Sequence, residues 1–346
     1  MTDRTTPVRT SRRALLQGAG ALGLGALAAC TAPADPAPQP PTTQPAASPA
    51  YPVIGLTYIP SVQFAPFYVG VKKKLFADGV TLRHHGEQEG LFNALLQGTE
   101  QFAVAGGDEL VQARAESGAD LVAVAQLYHQ YPARLIVPTA SGIKSLTDLR
   151  GKKVGVAGRY GESWIGLTVA LALAGMTEKD VEVVEIGYTQ QAALRTNRVD
   201  AVMGFVNGDA VQLATSGFSA RVVPLGDPFP LVSICLVTTG AYAAANPDLV
   251  RTVVRGTVGG MKAVVTAPAE ALTITGQYVP GLDDQAAAAD AKAVLNATIP
   301  LYQDAAGVAS GALDPAQWDT MSQAMLKNRL ITRAVPAKEA MSTAFL

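Results

Sequence analysis

The chain has 346 residues, 49% of them hydrophobic, and its 27 basic and 28 acidic side chains leave a formal net charge of −1. That length can bury a large core and is enough for two domains, which excludes general disorder, and no basic tract points to nucleic acid. Its two cysteines, Cys30 and Cys235, exclude a disulfide framework.

The first segment stands apart. Arg12-Arg13 precede a weakly apolar run, Ala14 to Ala29, that ends at Cys30. Its roughly 16 residues fall short of the ~20 of a membrane-spanning helix, so residues 1–29 read as an export signal. SRRALLQ resembles a twin-arginine motif, and Leu27-Ala28-Ala29-Cys30 resembles a bacterial lipobox, in which Cys30 would be acylated and become the mature N-terminus. The alternative is a secreted protein cleaved near the Ala-rich end. Acylation would attach the chain lastingly to the outer face of a membrane. Loss of residues 1–29 removes four arginines and one aspartate, leaving 23 basic and 27 acidic residues and a formal charge of −4. Residues 30–50 then form a proline-dense tether without large apolar side chains, reaching up to about 60 Å at ~3.1 Å per residue.

From Val53 onward strands and helices alternate. Strand-like runs Val53 to Leu56, Phe102 to Ala105, Leu121 to Leu127 and Arg134 to Pro138 are interleaved with helices from Pro66, Gly90 and Glu109. A second series follows, with strands at Lys153 to Val156, Val181 to Ile186, Ala201 to Gly204 and Arg221 to Val223 and helices from Ser163, Gln190 and Asp209. After the run Ser233 to Thr238, only helices follow: Pro247 to Thr266, Ala269 to Tyr278, Asp284 to Thr298 and Pro315 to Lys327. The terminal helices have no sheet of their own, and SGIKSLTDLRGKKVGV restarts a fold. The expected architecture is therefore α/β and two-lobed. Residues 51–138 plus 240–346 form lobe 1 and 139–239 form lobe 2, with a two-segment hinge near Val137 to Ser141 and Val237 to Gly240.

Several motifs dissolve on inspection. Gly18-Ala19-Gly20-Ala21-Leu22-Gly23 matches G-x-G-x-x-G, but it lies in the export signal with no strand before it. Gly161-Glu162-Ser163-Trp164 approaches a nucleophile elbow, yet the fifth position is Ile165 and all three histidines precede the serine. The stretch reads better as a loop presenting N–H groups and the Ser163 hydroxyl at a helix N-terminus. His84 and His85 read as surface residues, no metal-ligand spacing appears, and Cys235 reads as a buried inert thiol. No catalytic set and no cofactor is indicated.

Aromatic residues are the distinctive resource, gathered near loop ends: Tyr58, Phe64, Phe67 and Tyr68, then Tyr128 and Tyr131, Tyr160 and Trp164, and Tyr188. Phe67 has core spacing with Val71 and Leu75. Tyr58 and Phe64 fall outside such a pattern, which leaves core and pocket roles open for both.

YIPSVQFAPFYVGVKKKLFADGV, FAVAGGDELVQARAESGADLVAVA, SLTDLRGKKVGV and NRVDAVMGFVNGDAVQL together resemble the substrate-binding lipoproteins of bacterial ABC importers related to thiamine-pyrimidine synthases, over about residues 51–240. The resemblance implies a two-lobed periplasmic-binding-protein fold of type II, an ABC permease as partner and a ligand in the cleft. The cleft would be reached by Tyr58, Ser61, Gln63 and Phe64, by Gly107 and Asp108, by Tyr128, by Tyr160, Gly161 and Ser163, and by Asn207 and Asp209. Thiamine-precursor members usually carry Trp, Asn and His where this chain has Tyr58, Ser61 and Phe64. The form here is closer to the riboflavin-binding branch, so riboflavin is the expected ligand and the thiamine pyrimidine the alternative. A synthase is the rival class. Those enzymes carry a cysteine-rich motif and a histidine at the position of Phe64.

Overall fold

The structure is a computed structural model that describes residues 51–346 apart from 77, 87, 88 and 227. The export signal, Cys30 and the tether lie outside the described residues. The first lobe opens with β1 (Val53–Leu56), α1 (Ala65–Lys72), β2 (Thr81–His84), α2 (Asn93–Leu96), β3 (Phe102–Gly106), α3 (Gly107–Ser117) and β4 (Val122–Gln126). The chain then enters β5 (Ala133–Pro138), β6 (Lys153–Val156), α4 (Gly161–Leu173), β7 (Glu182–Glu185), α5 (Gln190–Arg195), β8 (Ala201–Phe205), α6 (Asp209–Thr215) and β9 (Ala220–Val223). It returns through β10 (Ile234–Thr238) to α7 (Gly240–Ala245), α8 (Pro247–Thr266), α9 (Pro268–Thr275), α10 (Gln285–Thr298), α11 (Pro315–Lys327) and α12 (Ala337–Ala340). Local chemistry sets many of these bounds. The Asp284 and Asp314 carboxylates accept from the first N–H groups of α10 and α11, and Gly118 ends α3 with φ of 69°.

Each lobe holds a five-stranded sheet. The first has the order β2-β1-β3-β10-β4, with β1 parallel to β2 and β3 and β10 antiparallel to both its neighbours. The second has the order β7-β6-β8-β5-β9, with β6 parallel to β7 and β8 and β5 antiparallel to β8 and β9. Strand β3, mid-sheet, is buried along its whole length, and so is β4 at the edge of the sheet, where the C-terminal segment covers it and the Ser342 N–H donates to the Ala123 carbonyl.

This pairing moves the hinge. Strand β5, expected to close lobe 1, pairs only within the second sheet, and β10, expected to close lobe 2, lies inside the first. The crossings therefore fall at 127–132 and 224–233, not at Val137 to Ser141 and Val237 to Gly240. Both strands are apolar runs at the edge of their series, and only long-range pairing decides which sheet they join.

The expected surface role of His85 is also corrected. Its side chain is buried, with Nε2 3.0 Å from both carboxylate oxygens of Glu100, itself buried and accepting from Arg83 Nε at 2.6 Å. His84 stays half-exposed, its Nε2 3.0 Å from Tyr68 Oη and its Nδ1 2.9 Å from the Tyr58 carbonyl oxygen. Phe67 is fully buried, stacked at 6.5 Å on Phe76, as its spacing requires.

The C-terminal helices cover lobe 1. Helix α8 lies along α1 so closely that a Cβ on Gly260 would stand 2.0 Å from the Pro66 carbonyl oxygen. Elsewhere in a helix alanine is ~1 kcal/mol better than glycine. Here backbone meets backbone, and the sign reverses. Gly260→Ala is expected to destabilise the protein by about 1–3 kcal/mol in urea unfolding, whereas a neutral or stabilising result would show that α1 and α8 are free to part.

Candidate functional site

The parallel strands of both sheets end at the line between the lobes, the place where α/β sheets leave room for a ligand. A cavity of about 150 Å³ lies there. From lobe 1 come Thr57 and Tyr58 just beyond β1, Gln63 and Phe64 from the turn before α1, Val104 of β3 and Ile234 of β10. Lobe 2 gives Glu162 from the first turn of α4 and Phe205 from the end of β8, and the first crossing gives Leu127 and Tyr128. The wall is chiefly aromatic and aliphatic, with Thr57, Gln63 and Glu162 as its polar groups beside the Tyr58 and Tyr128 hydroxyls.

Local structure holds these groups in place. Ser61 does not line the cavity. Its Oγ accepts from Gln63 N–H at 3.3 Å and fixes the turn that carries Gln63 and Phe64. Tyr302 Oη donates to the Gln63 carbonyl at 3.0 Å, tying the same turn to the C-terminal helices. Tyr58 is 43% exposed, and Tyr188 stands near it, near Tyr160 and near Glu109, so three tyrosines from two lobes stand together beside the site.

Other expected contacts prove structural. The Gly107 N–H donates to the Ser233 carbonyl, and a Cβ there would press into Val232 and Trp318. Asp209 is turned back to accept from the Phe205 N–H at 2.8 Å and so shapes the end of β8. Ser163 is buried within α4, away from the cavity wall. Gly161 opens α4 at φ of +68°, where a side chain would be strained. Asn207 joins the lobes instead of facing the cavity: its Nδ2 donates to Thr298 Oγ1 of α10 at 3.0 Å and approaches Tyr128 Oη at 3.4 Å. Four of the expected residues, Tyr58, Gln63, Phe64 and Tyr128, line the cavity.

Sequence reasoning left out Thr57, Val104, Leu127, Glu162, Phe205 and Ile234. The available signal was position. Thr57 and Phe205 lie at the C-terminal ends of parallel strands, where such sites form.

Behind the cavity, α3 and α4 point their N-termini at each other and bring three acids together. Asp108 and Glu109 come from lobe 1 and Glu162 from lobe 2. Tyr131 Oη lies 2.7 Å from both Asp108 Oδ2 and the Glu162 carbonyl oxygen, so one phenol spans the lobes. Ser233 Oγ donates to Glu162 Oε1. Burial, with Glu109 alongside, pushes Asp108 up to about 8, and burial raises Glu109 as well. Glu162 is driven well above the usual carboxylate range by burial, then by Asp108 and Glu109, against the opposing Ser233 hydrogen bond. The two helix N-termini favour the ionised forms, but burial and mutual repulsion outweigh them.

A raised carboxyl contributes stability that is fully present below its ordinary value and is lost as pH rises through its folded value. For Asp108 that window runs from 3.8 to about 8. Each such acid weakens the fold by up to about 1.4 kcal/mol per pH unit within its window. Thermal unfolding is expected to fall from pH 5 to pH 8, and Asp108→Asn is expected to flatten that fall. A variant as steep as the wild type would remove Asp108 from the titrating set.

Residues 61–271 match the family model described as NMT1/THI5 like. The riboflavin-binding protein RibY of Chloroflexus aurantiacus is 31% identical over 303 residues, covering 85% of this chain and 85% of that one. The 4-amino-5-hydroxymethyl-2-methylpyrimidine phosphate synthase of Legionella pneumophila is 27% identical over 189 residues, 54% of this chain and 59% of that one. Among solved structures, the alkanesulfonate-binding protein SsuA from Xanthomonas axonopodis pv. citri, bound to MOPS, superposes with a TM-score of 0.64 at 21% identity, over 86% of this chain and 99% of that one. The fold is thus the two-lobed one of periplasmic binding proteins, and with the model spanning more than half its length the chain belongs to the NMT1/THI5-like family.

Proposed function

We propose that the protein is the extracytoplasmic binding component of an ABC importer and captures a flat heterocycle, riboflavin, between its lobes. The observation that carries this reading is the cavity wall, where Tyr58, Phe64, Tyr128 and Phe205 line one space with aromatic rings from both lobes and the crossing between them. A fused heterocycle against such rings gains about 0.5–1.5 kcal/mol per aromatic pair beyond its area burial. The relative of matching length is named for riboflavin binding. Binding is favoured over turnover because Phe64 stands where the synthases that the chain resembles carry a histidine.

A second ligand has one observation in its favour. Glu162 sets a carboxyl in the wall, and a small aminopyrimidine presents an edge of ring nitrogen and amino group that such a group pairs well. The synthase relative is named for that pyrimidine.

Titration of ligand-free protein with riboflavin and with the aminopyrimidine, followed by flavin fluorescence and binding heat, separates the two. Riboflavin is expected to bind with quenched fluorescence, and Phe64→Ala to weaken it about tenfold, a loss of about 1.4 kcal/mol. Pyrimidine binding without flavin binding would reverse the order, and failure of both would leave the ligand class open.

The address of the protein belongs to the same proposal. Among the described residues no helix is long and apolar enough to cross a membrane. Attachment would rest on acylated Cys30, with the 30–50 tether letting the body reach its permease. Mass spectrometry of the membrane fraction is expected to find a mature chain starting at lipidated Cys30. An unmodified Cys30, or cleavage well beyond it, would refute the anchor.

A further inference from the structure

Glu162 is the acid of the cavity wall. Its side chain is buried, with 6% of the residue exposed, and Ser233 Oγ–H donates to its Oε1. That bond makes Oε1 the acceptor oxygen of the carboxyl. Among the described residues Oε2 has no hydrogen-bond partner, and it is not among the sealed, unpartnered polar atoms, so it keeps some access on a residue that lines the cavity.

Among the described residues, no basic side chain acts on it. From α3 come Asp108 and Glu109, from the first crossing the Tyr128 and Tyr131 phenols, and from β10 the buried Cys235 thiol. From α11 the buried Trp318 and Met321 add apolar surface. An ionised Glu162 would be a buried charge beside two more acids, and the neutral acid is the species that this surrounding accepts.

We propose that Glu162 works as a proton-loaded specificity residue, holding its proton before the ligand arrives, taking one up on binding only where it has ionised at alkaline pH, and donating its Oε2–H to an acceptor atom, a ring nitrogen or carbonyl oxygen, of the bound heterocycle. This rests on the reading of the cavity as a heterocycle site. The balance is simple: where Glu162 has ionised, its carboxylate gains one proton from solvent on binding, no other bond changes, and release of ligand returns that proton; where it is already neutral, no proton moves. A ligand edge bearing only donors leaves Oε2–H unpaired in a closed site, and an anionic edge is rejected only where Glu162 is ionised. The device selects neutral heterocycles with an exposed acceptor, and their affinity falls as pH rises.

The test is calorimetric titration of riboflavin between pH 5 and pH 9, in two buffers of different ionisation heat, for the wild type and Glu162→Gln. Wild-type affinity is expected to fall toward tenfold per pH unit at the alkaline end, with proton uptake approaching one per ligand. Glu162→Gln, which keeps a donor without a titrating proton, is expected to bind several-fold more weakly at pH 5, with a clearly shallower profile, any residual slope coming from Asp108 and Glu109, and no uptake attributable to this position. A wild-type profile that is flat, or a variant that retains the wild-type slope, would overturn the proposal. A ligand-independent readout separates this from failure of the riboflavin reading. The infrared difference spectrum between wild type and Glu162→Gln at pH 7 is expected to show a protonated carboxylic C=O band. If riboflavin fails to bind but the band is present, the ligand assignment falls and the proton on Glu162 stands. If only the carboxylate bands appear, the proton-loaded residue is refuted whichever ligand binds.

Discussion

The position of β10 is the constraint on which the rest of the molecule depends. It fills the gap between β3 and β4, antiparallel to both, and without it β4 would not join the first sheet at all. Because β10 arrives after the whole of lobe 2 has been traced, the first sheet is completed only when the chain returns. The two crossings are thereby held side by side. The register is specific: Cys235 stands opposite Ala105 on one side and Gln126 on the other, and a slip by one residue would turn its side chain to the opposite face. The ends of β1, β3 and β10 then meet, and they carry the lobe 1 wall of the cavity.

The same arrangement explains why the cleft collects acids. α3 follows β3 directly and α4 follows β6, so both helices start at the junction, where a carboxylate in the first turn is the favourable choice on an isolated helix. When the lobes meet, those individually favourable positions become one cluster. Tyr131 and Ser233 satisfy part of its hydrogen-bonding capacity, and both lie on the crossings themselves. The interdomain contact is therefore coupled to protonation through residues that belong to neither sheet. Asn207 adds to this, since its amide nitrogen bonds across to Thr298 while its Oδ1 is buried with no hydrogen-bond partner among the described residues. Such an atom costs about 1–3 kcal/mol and keeps the joined state from being overly stable.

What was legible in the sequence follows from the range of the interactions involved. Strand β1, β6 and helices α8 and α11 are set by local pattern and prolines, and they begin and end where periodicity places them. Tyr58 and Phe64 stood out because they break the helical spacing that Phe67 obeys. The hinge was misplaced because β5 and β10 are apolar runs whose sheet membership is decided by partners far along the chain, β5 by β8 and β10 by β3. His85 was misread for the same reason. Its partner Glu100 lies beyond α2, and nothing in the pair His84-His85 distinguishes the ring that is buried. Glu162 was visible as a residue near a helix start, but its place in the wall depends on the meeting of two lobes, which no local pattern encodes.

The two walls of the cavity differ in how firmly they are held, and that difference has a mechanical meaning. On the lobe 1 side Phe64 is 5% exposed, the turn that carries it is tied to Tyr302, and the carbonyl of Tyr58 is held by His84, whose other nitrogen meets Tyr68. The lobe 2 rim instead presents Tyr160 and Tyr188 at 57% and 72% exposure. A ring lying on the fixed wall loses little conformational entropy in the protein, whereas ordering the exposed tyrosines is paid only when lobe 2 arrives. To move from mostly parted to mostly joined lobes, 1:99 to 99:1, requires about 5.5 kcal/mol of preference for the joined state. The fixed wall is available in either state and contributes nothing to that preference. On the proposed reading of a ligand clamped between the lobes, it would come from groups met only on closure, Phe205 and Glu162, even though lobe 1 supplies most of the lining residues.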